Sequence, residues 1–117
     1  MNLFMTKNKN AASGFVTKWY PMQLTNLDSR DKFYVASSIT VVWNDMRFTL
    51  NQKPILKIEF SQDSRNPVSA REFAIDSESN SNDILLLLLV EQLKYVRVTY
   101  NSETCTEGIL NILINYR

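Results

Sequence analysis

The final third of the chain, Ile84 to Arg117, constrains the fold most. It reads ILLLLLVEQLKYVRVTYNSETCTEGILNILINYR, apolar or alternating runs divided by short polar joints. Alternation at every second residue marks a strand with one buried face, and a short all-apolar run fits a strand buried on both faces. Leu93–Tyr100 is rich in Val, Thr and Tyr and reads as a strand. Ile109–Tyr116 places Leu110, Ile112, Ile114 and Tyr116 on one face, and residues 101–108 form a hairpin loop before it. Ile84–Lys94 also suits a helix, because Asn82 or Asp83 would cap it and Leu, Glu and Gln are good helix formers. The β-rich surroundings and the polar joint Glu91-Gln92 favour a strand. Such a series is how an antiparallel β-sandwich ends, with the last strands entering both sheets.

The rest of the chain continues the pattern. Phe15–Leu24 holds β-forming and aromatic residues around Pro21, which fits an edge strand or a bend. Residues 26–31 form a polar turn. Phe33–Trp43 reads as a central strand with Phe33, Val35, Ile39, Val41 and Trp43 on one face. Ser37 falls on that face and marks a bulge or a tight packing point. Asn44-Asp45 is a candidate hairpin turn, because both residues tolerate positive φ, with Phe48 and Leu50 inward on the return strand. Ile55–Phe60 alternates, with Leu56, Ile58 and Phe60 inward and Lys57 and Glu59 outward. A polar loop over Ser61–Ala70 precedes a short strand, Arg71–Ile75, with Phe73 and Ile75 inward; residues 76–83 form a polar tip. About eight strands result. The expectation is an all-β, antiparallel β-sandwich of jelly-roll type. With two glycines in the chain, Asn, Asp and Ser must carry the turns.

A chain of 117 residues suits one domain with its own core. Residues 1–14 (MNLFMTKNKNAASG) have neither a signal-like apolar region nor the composition of a core. They read as a flexible arm, able to order on a neighbouring subunit, ahead of a single domain at 15–117. The apolar run Ile84–Val90 is far shorter than the about 20 residues of a membrane helix.

Composition also narrows the chemistry. The chain has no histidine, which removes the commonest general base and metal ligand. One cysteine, Cys105, permits neither an internal disulfide nor a cysteine-rich zinc site, and it reads as an inert thiol in a polar loop. The two glycines exclude a phosphate-cradling loop. No catalytic residue, cofactor or metal ligand set is expected. Asp76, Glu78 and Asp83 are oxygen donors for calcium at a spacing that matches no EF-hand, and a solvated loop explains them better.

A net charge of +1 gives no general attraction to nucleic acid. Two basic-aromatic clusters stand out nonetheless: Lys18-Trp19-Tyr20, and Lys94-Tyr95 with Arg97, where alternation puts Tyr95 and Arg97 on one face and Lys94 on the other. Trp19, Tyr20 and Tyr95 are the candidate ligand or interface aromatics, since a flat ring stacks on a sugar face. Tyr34 is a further candidate for such stacking, and Trp43 is assigned to the core. Along 84–89, Ile84, Leu86 and Leu88 share one face, and Leu85, Leu87 and Leu89 share the other. Only one of these faces enters a protomer core. Leu85, Leu87 and Leu89 are the candidate assembly interface.

The segments Tyr95-Val96-Arg97-Val98-Thr99-Tyr100 and Ile109-Leu110-Asn111-Ile112-Leu113-Ile114, after the apolar run at 84–90, resemble the closing strands of small jelly-roll virion proteins of bacteriophages, of the vertex (penton) or spike type. The resemblance covers residues 84–117. It implies a structural, non-enzymatic role in the virion, self-association into a symmetric homo-oligomer and contact with other capsid proteins, and it transfers no catalytic residue. The alternative expectation is a carbohydrate-binding sandwich or a receptor-binding tail module, motivated by the aromatic residues and polar loops.

Overall fold

The computed structural model describes residues 2–25, 33–75, 83–88 and 93–117, with only the backbone described at Thr25, Phe33 and 83–88. Ten strands run through them: β1 Asn2–Asn10, β2 Phe15–Val16, β3 Tyr20–Pro21, β4 Gln23–Thr25, β5 Phe33–Arg47, β6 Ile55–Ser61, β7 Pro67–Ala74, β8 Asp83–Leu88, β9 Tyr95–Asn101 and β10 Glu107–Tyr116. No helix occurs among the described residues. The expectation of a strand rather than a helix therefore holds over 83–88; residues 89–92, with the Glu91-Gln92 joint, lie outside the described residues.

The strands form two antiparallel sheets. The first runs β1-β10-β5, with β4 and β8 sharing the far side of β5. The second runs β7-β6-β9, with β2 and β3 in succession along β9. If β2 and β3 count as one interrupted strand, the pairs β1:β10, β2/β3:β9, β5:β8 and β6:β7 are the rungs of one long hairpin folded at the β6–β7 turn. The ladders β10:β5 and β9:β6 roll that hairpin into a sandwich. This is the eight-stranded jelly roll, with three-residue β4 as an addition.

Alternation builds the core. Ile39, Val41, Trp43, Leu110, Ile112 and Ile114 face inward from one sheet, and Leu56, Ile58, Phe60, Val96, Val98 and Tyr100 from the other. Burying each such side chain contributes roughly 1.5–3 kcal/mol. The inward face expected for β6 and the shared face expected for β10 match, and Trp43 is buried.

Bulges move the phase in β5. The register steps from Asn115↔Ser38 to Tyr116↔Ala36, so Ser37 is an extra residue, as its place in the sequence pattern suggests. Its hydroxyl donates to the Asn115 carbonyl at 3.1 Å. Beyond this bulge Ala36 is buried and Val35 is exposed, not inward as alternation predicts. A second shift follows, from Ile109↔Asn44 to Glu107↔Arg47. Asn44-Asp45 is therefore not a hairpin turn. Asp45, at φ 54°, is a bulge inside one continuous strand, facing Gly108 at φ 130°. Phe48 is buried, but Leu50 lies in the following turn and is 59% exposed, which corrects its inward assignment. The strand β7 starts earlier than expected, at Pro67; Ile75 is buried and Phe73 half-buried.

The N-terminal segment is not a free arm. Asn2–Asn10 pairs with β10 along the edge of the first sheet. Its side chains are mostly exposed, as its composition implies, but backbone pairing needs no core-forming side chains. Tyrosine hydroxyls fix this region from inside: Tyr20 donates to the Phe4 carbonyl at 3.1 Å, Tyr100 to Ala11 at 2.7 Å, and Tyr116 to Pro21 at 2.7 Å. Turns rest on non-glycine residues at positive φ, Ser64 and Glu103 among them, and Asn8 at positive φ marks a register shift inside β1. At the β6–β7 turn the Asp63 carboxylate accepts from the backbone N–H of Arg65 and of Asn66, both at 2.9 Å, and from the Ser61 hydroxyl at 2.8 Å, which holds it well below the usual carboxylate range.

Candidate functional site

The outward faces of the two sheets differ in chemistry. On the β7-β6-β9 sheet, Arg97 and Thr99 alternate with buried Val96, Val98 and Tyr100, so they point away from the core. Across the ladder Arg97 meets Glu59 of β6, which lies between inward Ile58 and Phe60. The guanidinium forks onto the carboxylate, Nε to Oε1 at 3.1 Å and Nη2 to Oε2 at 3.4 Å. The Thr99 hydroxyl donates to Oε1 at 2.6 Å. Glu59 is only 6% exposed although it points outward. Burial works to raise its pKa. The hydrogen bonds from Thr99 and Arg97, with the charges of Arg97 and Lys57, outweigh that and hold it below the ordinary glutamate value.

The backbone between β2 and β3 supplies the lid of this cluster. Thr17 replaces a missing rung: its N–H donates to the Val98 carbonyl at 2.9 Å, and its hydroxyl accepts from the Val98 N–H at 3.0 Å. Lys18 and Trp19 then leave the ladder, and the Trp19 ring lies over the Arg97 guanidinium, 4.4 Å from the ring centroid. Tyr95, two residues before Arg97, is half-buried on the same face and pairs with Ser61 and Pro21.

Of the candidate aromatics, Trp19 and Tyr95 thus flank one polar cluster. Tyr20 does not join them. It is buried, its hydroxyl is spent on the Phe4 carbonyl, and burial raises its pKa. Trp19 stands outside the ladder and covers Arg97, whereas Tyr20 begins β3 and is buried. Tyr34 is half-buried and packs against the core. Lys94 is exposed just before β9. Cys105 is buried, and its thiol donates to the Glu107 carbonyl at 3.2 Å. Residues Asp76 and Glu78 lie outside the described residues; among those described, no three metal-ligating side chains cluster.

The outer face of the other sheet is apolar and amide-rich. Phe4 pairs with Leu113 and Leu113 with Thr40; Asn111 pairs with Val42 and Ile109 with Asn44. Phe4 and Ile109 are 48% and 43% exposed, while Leu113 and Val42 are half-buried. The polar groups there bond to one another: the Asn115 amide donates to the Ser38 and Thr40 hydroxyls at 2.8 and 2.9 Å, and the Asn8 N–H donates to Asn111 Oδ1 at 2.8 Å.

The strand β8 continues this sheet beyond β5. Leu85 and Leu87 pair with Val41 and Ile39, which are buried, whereas Ile84, Leu86 and Leu88 pair with Val42, Thr40 and Ser38. Directly paired residues share a face. By register, Leu85 and Leu87 therefore occupy the core-side positions, and the outer positions fall to Ile84, Leu86 and Leu88, the reverse of the sequence assignment. Leu89 lies outside the described residues.

Glu59 and Thr99 were not singled out from sequence. The one available signal was an isolated acid in ILKIEF and an isolated base in YVRVTY, and only the ladder shows that they meet. No helix among the described residues is long and apolar enough to cross a membrane. No family model, no curated protein and no solved structure matches this chain.

Proposed function

We propose that this chain is a non-enzymatic structural protein that assembles with copies of itself, a virion component of the capsid or vertex type. The observation that carries the reading is the outer face of the β1-β10-β5-β8 sheet. It combines Phe4, Ile109, Leu113 and Val42 with amides and hydroxyls that already bond to one another. Polar groups paired within the face cost little when a neighbour covers them. Interface centres are depleted of charge, and this face keeps its charges at the margins, Lys7 over Phe4 on β1 and the exposed Arg47–Glu107 pair at the end of the β5–β10 ladder, while the other sheet carries Lys57, Glu59, Glu72 and Arg97. The occupant is a second copy, because most soluble homo-oligomers close through repeated self-contacts. The jelly-roll order supports the reading by analogy, since capsid proteins use it widely, and fold analogy alone does not establish a task.

Light scattering on the purified chain over a wide concentration range tests this. A discrete closed oligomer is expected. A monomer at the highest attainable concentration would defeat the proposal.

A further inference from the structure

We propose that the outer face of the β9-β6 ladder is a binding site for a neutral saccharide, centred on Arg97 and walled by Trp19 and Tyr95. The site is separate from the assembly face, which belongs to the other sheet, and it does not depend on assembly.

A nearly buried carboxylate paired with an arginine contributes little net stability, because desolvation offsets most of the attraction. Glu59 nonetheless sits 6% exposed on the outward side of a sheet, where a solvated side chain would serve the fold equally well. What the arrangement does achieve is rigidity. The Arg97 fork is held on one edge by Glu59 and on its plane by the Trp19 ring. Its Nε and Nη2 are engaged, and Nη1 has no partner among the described residues, with the side chain 25% exposed. A fixed donor pair beside two aromatic rings is a pre-organised receptor.

The chemistry of the ligand follows from charge. Arg97 is balanced by Glu59, and Lys57 lies opposite Glu72. An anion drawn to Arg97 would meet the carboxylate 3.1 Å from its Nε. A polyanion such as nucleic acid finds no net positive field here. A neutral pyranose meets both demands: its C–H face packs on Tyr95 and against Trp19, and its hydroxyls accept from the free Arg97 N–H groups. The Thr99 hydroxyl beside them remains able to accept.

The test titrates the full chain with glucose, galactose, mannose and N-acetylglucosamine and their disaccharides, following tryptophan emission and heat. Trp43 is buried in the core, so an emission change reports Trp19. Saturable binding of at least one neutral sugar is expected, weakened about tenfold or more in Trp19→Ala and in Tyr95→Ala. Arg97→Lys, which keeps a cation over Glu59 but removes the fork, should weaken it similarly, and circular dichroism confirms that each variant is folded. Silence across the sugars, binding that survives all three substitutions, or binding of acetate or inorganic phosphate alone would overturn the proposal.

Discussion

Three tyrosine hydroxyls tie the N-terminal part of the chain to the core, and their loss should be measurable one at a time. Tyr100→Phe leaves the buried Ala11 carbonyl without its 2.7 Å donor. A buried acceptor left unpaired costs about 1–3 kcal/mol, and urea unfolding of this variant should show a loss of that order. The same phenols make the fold sensitive to alkali. Burial raises Tyr116 to about 12 and Tyr100 strongly upward as well. The unfolded value is near 10, so each phenol keeps its proton longer when folded; the stabilisation is complete below about pH 10 and is lost as pH rises through the folded value. Tyr116→Phe should therefore make the fall in stability between about pH 10 and 12 less steep. An unchanged slope would show that the phenol titrates alike in both states. Glu59 acts at the other end of the scale. Its lowered pKa stabilises above the unfolded glutamate value, and that contribution is lost as pH falls through the folded value. Tyr100 and Tyr116 fall in alternating strands, whereas Tyr20 sits in a two-residue strand with no period to read, and which carbonyl each hydroxyl reaches depends on strands far apart in the chain.

Among the elements, β5 shows what a bulge does. Asp45 and Gly108 face each other at positive φ, and a Cβ on Gly108 would lie 2.6 Å from Met46 Cγ and 2.8 Å from Met46 Cα. Gly108→Ala should lower the melting temperature sharply, since the clash with backbone cannot be relieved by a rotamer change. Asp45→Asn, which tolerates the same φ, should leave it nearly unchanged. Comparable melting of the two variants would show that the bulge is not under this constraint. The sheet edges are guarded by different means. Lys7, Lys9 and two register shifts interrupt β1, and β7 places Arg71 opposite Ile58 on the core side; inward charge and bulges discourage edge pairing. The β8 run from Ile84 to Leu88 carries no charge. Strand existence was legible for β5, β6, β9 and β10 because each alternates over six or more residues. The phase of β5 was not, because each extra residue flips every side chain beyond it. Nor was β1, whose pairing is through the backbone and leaves no apolar period to read.

For the whole molecule, the assembly reading separates two neighbouring leucines. Leu85 pairs with buried Val41, so Leu85→Lys should prevent soluble folding, because an unpaired buried charge costs several kcal/mol of a total of about 5–15. Leu86 pairs with half-buried Thr40 on the outer side, and Leu86→Lys should fold yet change the mass measured by light scattering. A folded Leu86→Lys with the oligomer intact would remove β8 from the interface. The residue pattern alone sets the class of fold, since apolar alternation over most of the chain and the polar joints between runs leave an antiparallel sandwich as the way to bury this much apolar surface. It also determined the absence of histidine chemistry, which needs no coordinates. The pairing of distant strands settles that β1 closes a sheet, that Asn44-Asp45 bulges instead of turning, that Tyr20 points inward while Trp19 covers Arg97, and that Glu59 meets Arg97 across 38 residues of chain. The physical reason is one of range. Alternation is a property of neighbouring residues, whereas register, bulges and cross-strand pairs are fixed by which distant backbone a strand meets.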